Sequence, residues 1–560
     1  MKKLFYAALG AVALSLIANA ETRSPKSDIY SNLQIFNSVM KELQSNYVDT
    51  INVEEAVQTA IGAMLDKLDP YTEYMPRKEQ EEFRSLNSGE YGGIGSYIMA
   101  RNGNVYISGP HKGSPADSAG LRSGDLIMMV DTTTTLGMTT EQVSARLKGQ
   151  RGTPVKVTVK RPYVTDSIIT VEMVRDKIQI PAVPYSGMVA DGIGYIQLSQ
   201  FSEKSDTEVL DALNKLMEQG NLKGLIFDLR ENGGGLLESA VKILGYFLPK
   251  GTEVLRTRGK GVMDERVYKT SSKPVAPDLP LVILTDQGTA SASEITAGAL
   301  QDLDRAVIMG SRSFGKGLVQ STREIPYDGL LKVTVARYYI PSGRLIQAID
   351  YSHRNPDGTV ARIPDSLTNV FTTAGGRTVR DGGGITPDIK VEYPEISRIT
   401  YNVVRDNWAF DYANKYAATH PTLPPAGEFT MTDSIYADFK AFIDPARFNY
   451  DKVCETMLKN LREAAKIEGY MNDSISSQID RLEAMMKHPL DKDLDTHRKS
   501  IEPYLEREIV NRYYYQAGEV ENFLRHDNAV DSAVNLLKDP ARYKALLSPV
   551  AATKKSKTKK

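Results

Sequence analysis

Between Gly192 and Met309 the chain alternates strand-like and helix-like segments, and this alternation restricts the fold more than any other feature. Residues 193–198, 224–229, 279–284 and 306–309 are apolar runs of strand length. Residues 205–217, 236–247 and 291–303 lie between them with helical apolar spacing. Such a series predicts a largely parallel sheet covered by helices. In sheets of this kind ligand sites form at the C-terminal ends of the strands.

Two such ends carry unusual residues. Asp228-Leu229-Arg230-Glu231-Asn232-Gly233-Gly234-Gly235 follows one strand and leads into a helix. Ser291, in Gly288-Thr289-Ala290-Ser291-Ala292-Ser293-Glu294, opens the next helix. Lys316, in Ser313-Phe314-Gly315-Lys316-Gly317, follows 25 positions later. A serine hydroxyl must lose its proton to act as a nucleophile. A lysine accepts that proton only when its amine is neutral, which burial promotes. No carboxylate is near Lys316 in sequence, and Phe314, Leu318 and Val319 flank it. Ser291 at a helix start places the helix dipole and the Ala292 N–H beneath a developing oxyanion. The glycine turn supplies a backbone that a substrate can approach closely.

Each piece also has a plainer reading. Ser291-Ala292-Ser293-Glu294 fits a capping box, and Gly-Lys-Gly fits an ordinary turn. Gly310 to Gly317 approaches a phosphate-binding loop, but Gly317 replaces its Ser or Thr. The alternating segment 331–339 reads as a strand, and no helix directly follows Lys316 to bind phosphate. The histidines His111, His353, His420, His488, His497 and His526 are scattered and form no metal-binding motif. No metal, nucleotide or organic cofactor is therefore expected.

At 560 residues the chain exceeds a single core. Residues 1–20 read as an export signal: Met1-Lys2-Lys3, an apolar run, then Ala18-Asn19-Ala20. Residues 21–89 read as a helical region, whose helix from Val53 ends at Asp69-Pro70-Tyr71-Thr72, and 90–177 as a small β-domain. The α/β section spans 178–393 and a helix-rich region 394–547. The basic end, 548–560, reads as a solvated tail. Cys454 is the only cysteine, so no intramolecular disulfide forms, which is compatible with a periplasm. A net charge of -1 gives no reason to expect nucleic acid.

These motifs, in this order, resemble the C-terminal processing peptidases, the tail-specific serine proteases of family S41. The resemblance runs from about Ser27 to Val391 and includes Arg337-Tyr338-Tyr339-Ile340-Pro341-Ser342-Gly343-Arg344 and Gly384-Ile385-Thr386-Pro387-Asp388. It implies a multidomain α+β protein: helical N-terminal cap, PDZ domain, α/β protease core and a helix-rich C-terminal region. It also implies that Ser291 is the nucleophile, Lys316 the base and Gln320 the residue orienting that lysine. Gly234, with Gly235 the alternative, joins Ala292 as oxyanion donor. Gly233 stands where the family commonly has proline. Gly92, Gly93, Ile94 and Gly95 resemble the PDZ loop that cradles a peptide's terminal carboxylate, and the strand from Ser96 would pair with the peptide. The expected partners are proteins or peptides with free apolar C-termini. The C-terminal region is open to homo-oligomer or adaptor contacts. The alternative function is a PDZ-bearing binding protein on an inactive protease fold; intact Ser291, Lys316 and Gln320 argue against it.

Overall fold

The computed structural model describes residues 25–548, apart from 166, 262–263, 356–358, 394, 449–452 and 487–488. The proposed export signal and the basic run from Lys554 lie outside the described residues. Among the described residues no helix is long and apolar enough to cross a membrane.

The chain divides into two compact units. One comprises the N-terminal residues to Lys78 together with Gln320–Thr334. Its helices are α1, Pro25–Asn46, and α2, Val53–Leu65. Asn52 caps α2 by accepting the Glu55 N–H at 3.3 Å, as the sequence suggests. The Asp69-Pro70-Tyr71-Thr72 motif then closes on itself. Asp69 Oδ1 accepts the N–H groups of Tyr71 and Thr72 at 2.9 and 2.8 Å. Thr72 Oγ1 in turn accepts the Thr334 N–H at 3.2 Å. The strand Glu73–Met75 pairs antiparallel with residues 330–332.

The other unit comprises Glu79–Val319 and the chain from Val335. After the helix Gln80–Ser88 it forms a β-module. Strand β1, Glu90–Gly93, pairs with β7, Asp176–Gln179. Between them lie β2 (Ser96–Arg101), β3 (Asn104–Pro110), β4 (Leu126–Val130), β5 (Pro154–Lys160) and β6 (Ile168–Val174). They form a sheet in the order β2-β3-β4-β5-β6, which leaves β2 at an edge. Helix α3, Thr140–Leu147, lies beside β2, and its Val143 joins Ile107, Ile127 and Val157 in the module's core.

The central sheet runs β8 (Tyr185–Ala190), β9 (Ile193–Gln197), β10 (Gly224–Asp228), β11 (Leu281–Thr285), β12 (Val307–Gly310) and β13 (Ile389–Lys390). Only β8–β9 is antiparallel; the other neighbours are parallel. Helices α4 (Ser205–Glu218), α5 (Leu237–Leu244) and α6 (Ala292–Asp302) follow β9, β10 and β11. All three bury Leu213, Ile243 and Ile295 in one cluster on one face of the sheet. The strand order advances in one direction, and right-handed crossovers then place every helix on the same side.

The opposite face needs another cover, because a parallel sheet is buried on both sides. The C-terminal region supplies it. Helix α7, Arg498–Phe523, leads to α8, Asn528–Leu537. Val530, Ala533 and Leu537 of α8 pack on Ile226, Leu284 and Met309. The α/β section, expected to span 178–393, is thus completed by residues well beyond it. The rest of the C-terminal region packs its helices around Tyr412, Phe439, Ile501 and Leu505. It also holds the β-module: Asp411 pairs with Arg101, and Tyr515 donates to Asp117 Oδ1 at 2.6 Å. Tyr515 interrupts α7 with φ 57° and ψ -162°.

Candidate active site

Three loops leave the C-terminal ends of β10, β11 and β12, and hydrogen bonds tie them into one body. Thr289 Oγ1 donates to the Leu229 carbonyl at 2.8 Å, and the Phe314 N–H to the Thr289 carbonyl at 3.0 Å. Asn232, fully buried, is the hub of the glycine turn. Its Nδ2 donates to the Leu198 carbonyl at 2.7 Å. Its carbonyl accepts the Ala290 N–H at 3.0 Å and Ser293 Oγ at 2.8 Å, on either side of Ser291.

Ser291 sits just before α6 with φ 56° and ψ -115°. A non-glycine residue held there stores backbone strain, and such positions concentrate at functional sites. The capping-box pattern is present: the Ser291 N–H donates to Glu294 Oε2 at 2.9 Å. The same oxygen accepts the Lys316 N–H at 2.8 Å. Glu294 Oε1 accepts Ser313 Oγ at 2.5 Å and the Gly315 N–H at 2.7 Å. One buried carboxylate therefore holds the main chains of both residues singled out from the sequence. Burial pushes the Glu294 carboxyl up to about 7, although its four donors favour the charged form. Tyr338 adds a second crosslink, since its hydroxyl lies 3.1 Å from the Ser291 carbonyl and also bonds that of Lys316. The absence of a carboxylate near Lys316 in sequence did not anticipate Glu294, which tertiary folding brings to its backbone.

The strand Leu318–Ile325 follows Lys316, so the loop is not a phosphate loop entering a helix. Gly234 has φ 99°, and a Cβ there would lie 2.8 Å from Ser291 Cβ and 2.9 Å from Ala292 N. Only glycine leaves that cradle open. The Gly234 N–H, expected to face a substrate, instead donates to Asn232 Oδ1 at 2.9 Å. Among the described residues, Ala292 and Gly235 N–H groups have no acceptor. Gln320 belongs to the other compact unit, where its Nε2 donates to Thr334 Oγ1 at 3.2 Å.

In the β-module the four residues of the expected cradle divide between a ladder and the chain beyond it. Gly92 and Gly93 belong to β1 and pair with Lys177 and Asp176 of β7. Ile94 and Gly95 lie beyond that ladder. Their carbonyls are pinned inward by the N–H groups of Ala116 and His111 at 2.8 and 2.9 Å.

A model of peptidase family S41 matches residues 192–358, a PDZ model residues 106–161, and the C-terminal helical domain of probable PDZ-proteases residues 399–537. A carboxy-terminal-processing protease of Bartonella bacilliformis is 34% identical over 385 residues, 68% of this chain and 87% of that one. The chain belongs to peptidase family S41. A probable CtpA-like serine protease of Staphylococcus aureus is 33% identical over 387 residues, 68% of this S41 chain and 75% of its own. The solved photosystem II D1 C-terminal processing protease is 27% identical, with 64% of this chain and 86% of that one covered and a TM-score of 0.35. The PDZ domain of a Vibrio cholerae carboxy-terminal protease, solved with a peptide, is 31% identical, covering 16% of this chain and 98% of its own, with a TM-score of 0.15. This S41 peptidase thus has a PDZ domain, a protease core and a helical C-terminal domain.

Proposed function

We propose that this peptidase is an exported serine endopeptidase that captures protein C-termini and cleaves by a Ser291–Lys316 mechanism. One observation carries the reading: Glu294 and Tyr338 each bind the main chains of Ser291 and Lys316 at once. Two separate loops are thereby held as one unit at the ligand-binding edge of a parallel sheet. Ser291 Oγ attacks the scissile carbonyl while the neutral Lys316 amine takes its proton. Gln320, four residues along the chain, orients that amine. The oxyanion rests on the Ala292 N–H, with the second donor from the Gly234–Gly235 turn. Lys316 returns the proton to the leaving amine, and water then clears the acyl-enzyme. The edge strand β2 takes the substrate's C-terminal segment by β-augmentation, and the Ile94–Gly95 peptide groups receive its carboxylate. Export rests on the signal-like residues 1–20, which point to a periplasmic enzyme.

The test uses a quenched, unstructured peptide with a free apolar C-terminus. Ser291→Ala and Lys316→Arg should both abolish turnover with the fold intact, because arginine stays protonated. Wild-type turnover in Lys316→Arg would remove lysine from the role of base. Amidating the peptide should weaken capture about tenfold or more, the equivalent of one charge-assisted bond. Equal cleavage of acid and amide would leave the PDZ domain without a role in terminal capture.

A further inference from the structure

We infer that Asp527, in the C-terminal helical domain, is a positioning residue for the active site, holding the glycine turn through Arg230. The inference rests on the Ser291–Lys316 reading above. Arg230 is the third residue of the Asp-Leu-Arg-Glu-Asn turn, and its side chain folds back on Asp228. Nε lies 3.0 Å from both Asp228 oxygens, and Nη2 lies 2.5 Å from Oδ2. The Arg230 N–H donates to Asp228 Oδ1 at 2.9 Å, and Tyr195 donates to Oδ2 at 2.7 Å. Arg230 Nη2 is also 2.7 Å from Asp527 Oδ2, with these side chains only 15% and 7% exposed. One guanidinium is thus held between two carboxylates, one from the protease core and one from the C-terminal domain.

Asp527 does more than cap a helix. Its Oδ1 accepts the Ala529 and Val530 N–H groups at 2.9 and 3.2 Å and starts α8. A cap needs one acceptor atom, which serine or asparagine also provides. The second oxygen is committed to Arg230. From Arg230 the chain passes through Glu231, at φ 55°, directly into Asn232. Asn232 binds both flanks of Ser291 and the Gly234 N–H. A shift of Arg230 therefore reaches the backbone that surrounds the nucleophile. Residue 527 lies outside the segment matched by the S41 model. The C-terminal domain accordingly contributes to the reaction geometry as well as covering the sheet.

The experiment uses the full chain and the same quenched peptide. Asp527→Asn and Asp527→Ser retain a capping oxygen but lose the charged contact to Arg230. Both should lower kcat about tenfold, leave KM within about twofold, and keep the melting transition close to wild type. In an Arg230→Gln background, Asp527→Asn should change kcat less than about twofold. An unchanged kcat in Asp527→Asn overturns the inference. So does a loss no larger than the unfolded fraction accounts for, or an equal loss with Arg230 already replaced. Wild type and Ser291→Ala run alongside. Cleavage independent of Ser291 strikes the earlier reading, whereas unchanged turnover in Asp527→Asn strikes this inference alone.

Discussion

Glu294→Gln separates site alignment from overall stability. The Glu294 carboxylate receives four donors: the N–H groups of Ser291, Gly315 and Lys316, and the Ser313 hydroxyl. Glutamine keeps one acceptor oxygen, so in either orientation its NH2 faces two of these donors. Each orphaned donor costs about 1–3 kcal/mol. Removing the charge offsets part of this loss. A carboxyl displaced from 4.5 to about 7 carries on the order of 3 kcal/mol against ionisation at neutral pH. Global stability should therefore change by no more than about 3 kcal/mol. The register of Ser291 against Lys316 loses one of its two crosslinks, and misplacement by about 1 Å costs about a hundredfold in rate. Urea unfolding and steady-state cleavage measure the two effects separately. The pH dependence sharpens the test. Between about 4.5 and 7 the folded chain binds this proton more tightly than the unfolded chain. Its contribution to stability is therefore present at low pH and is lost as pH rises through 7. Activity should move the opposite way, because all four donors require the carboxylate. Cleavage by Glu294→Gln within about threefold of wild type would refute the alignment argument, as would a rate loss that merely tracks the unfolded fraction.

Two further substitutions probe close approaches. Gly234→Ala should abolish cleavage, since its Cβ would lie 2.8 Å from Ser291 Cβ at φ 99°; turnover near wild type would show that the turn has room to spare. Gly124→Ala should destabilise by about 1–3 kcal/mol in urea unfolding, because its Cβ would lie 2.3 Å from Asn414 Nδ2. An unchanged midpoint would mean that the β-module does not press on the C-terminal domain.

Much of the candidate site was legible because the proposed chemistry depends on residue types in short segments. Ser291, Lys316 and the glycine turn stand out in one dimension. Glu294 was visible as well, but only as the last residue of a capping box, because its other three donors come from residues 313–316. Tyr338 was visible only as part of the Arg337–Arg344 motif, with no role attached, and Asp527 carried no local signal. A tyrosine in an alternating strand and an aspartate before a helix are ordinary residues until the fold sets them beside a partner. The partner of the Gly234 N–H was hidden for the same reason. The glycine pattern marks a tight turn, but the Gly234 N–H is directed by Asn232, whose side chain closes the turn.

The order of strands and helices, the parallel sheet they imply, and the candidate residues for acyl chemistry follow from local pattern. Apolar periodicity and turn composition are local properties, and they survive reading one residue after another. How the sheet is covered follows instead from packing between distant segments. Strand order β9-β10-β11-β12 puts α4, α5 and α6 on one face. The other face is left to α8, some 200 residues further along the chain from β12. That packing delivers Asp527 to Arg230, as the crossing of separate loops delivers Glu294 to both Ser291 and Lys316. Such contacts depend on which distant segments share a surface, and no local pattern encodes that.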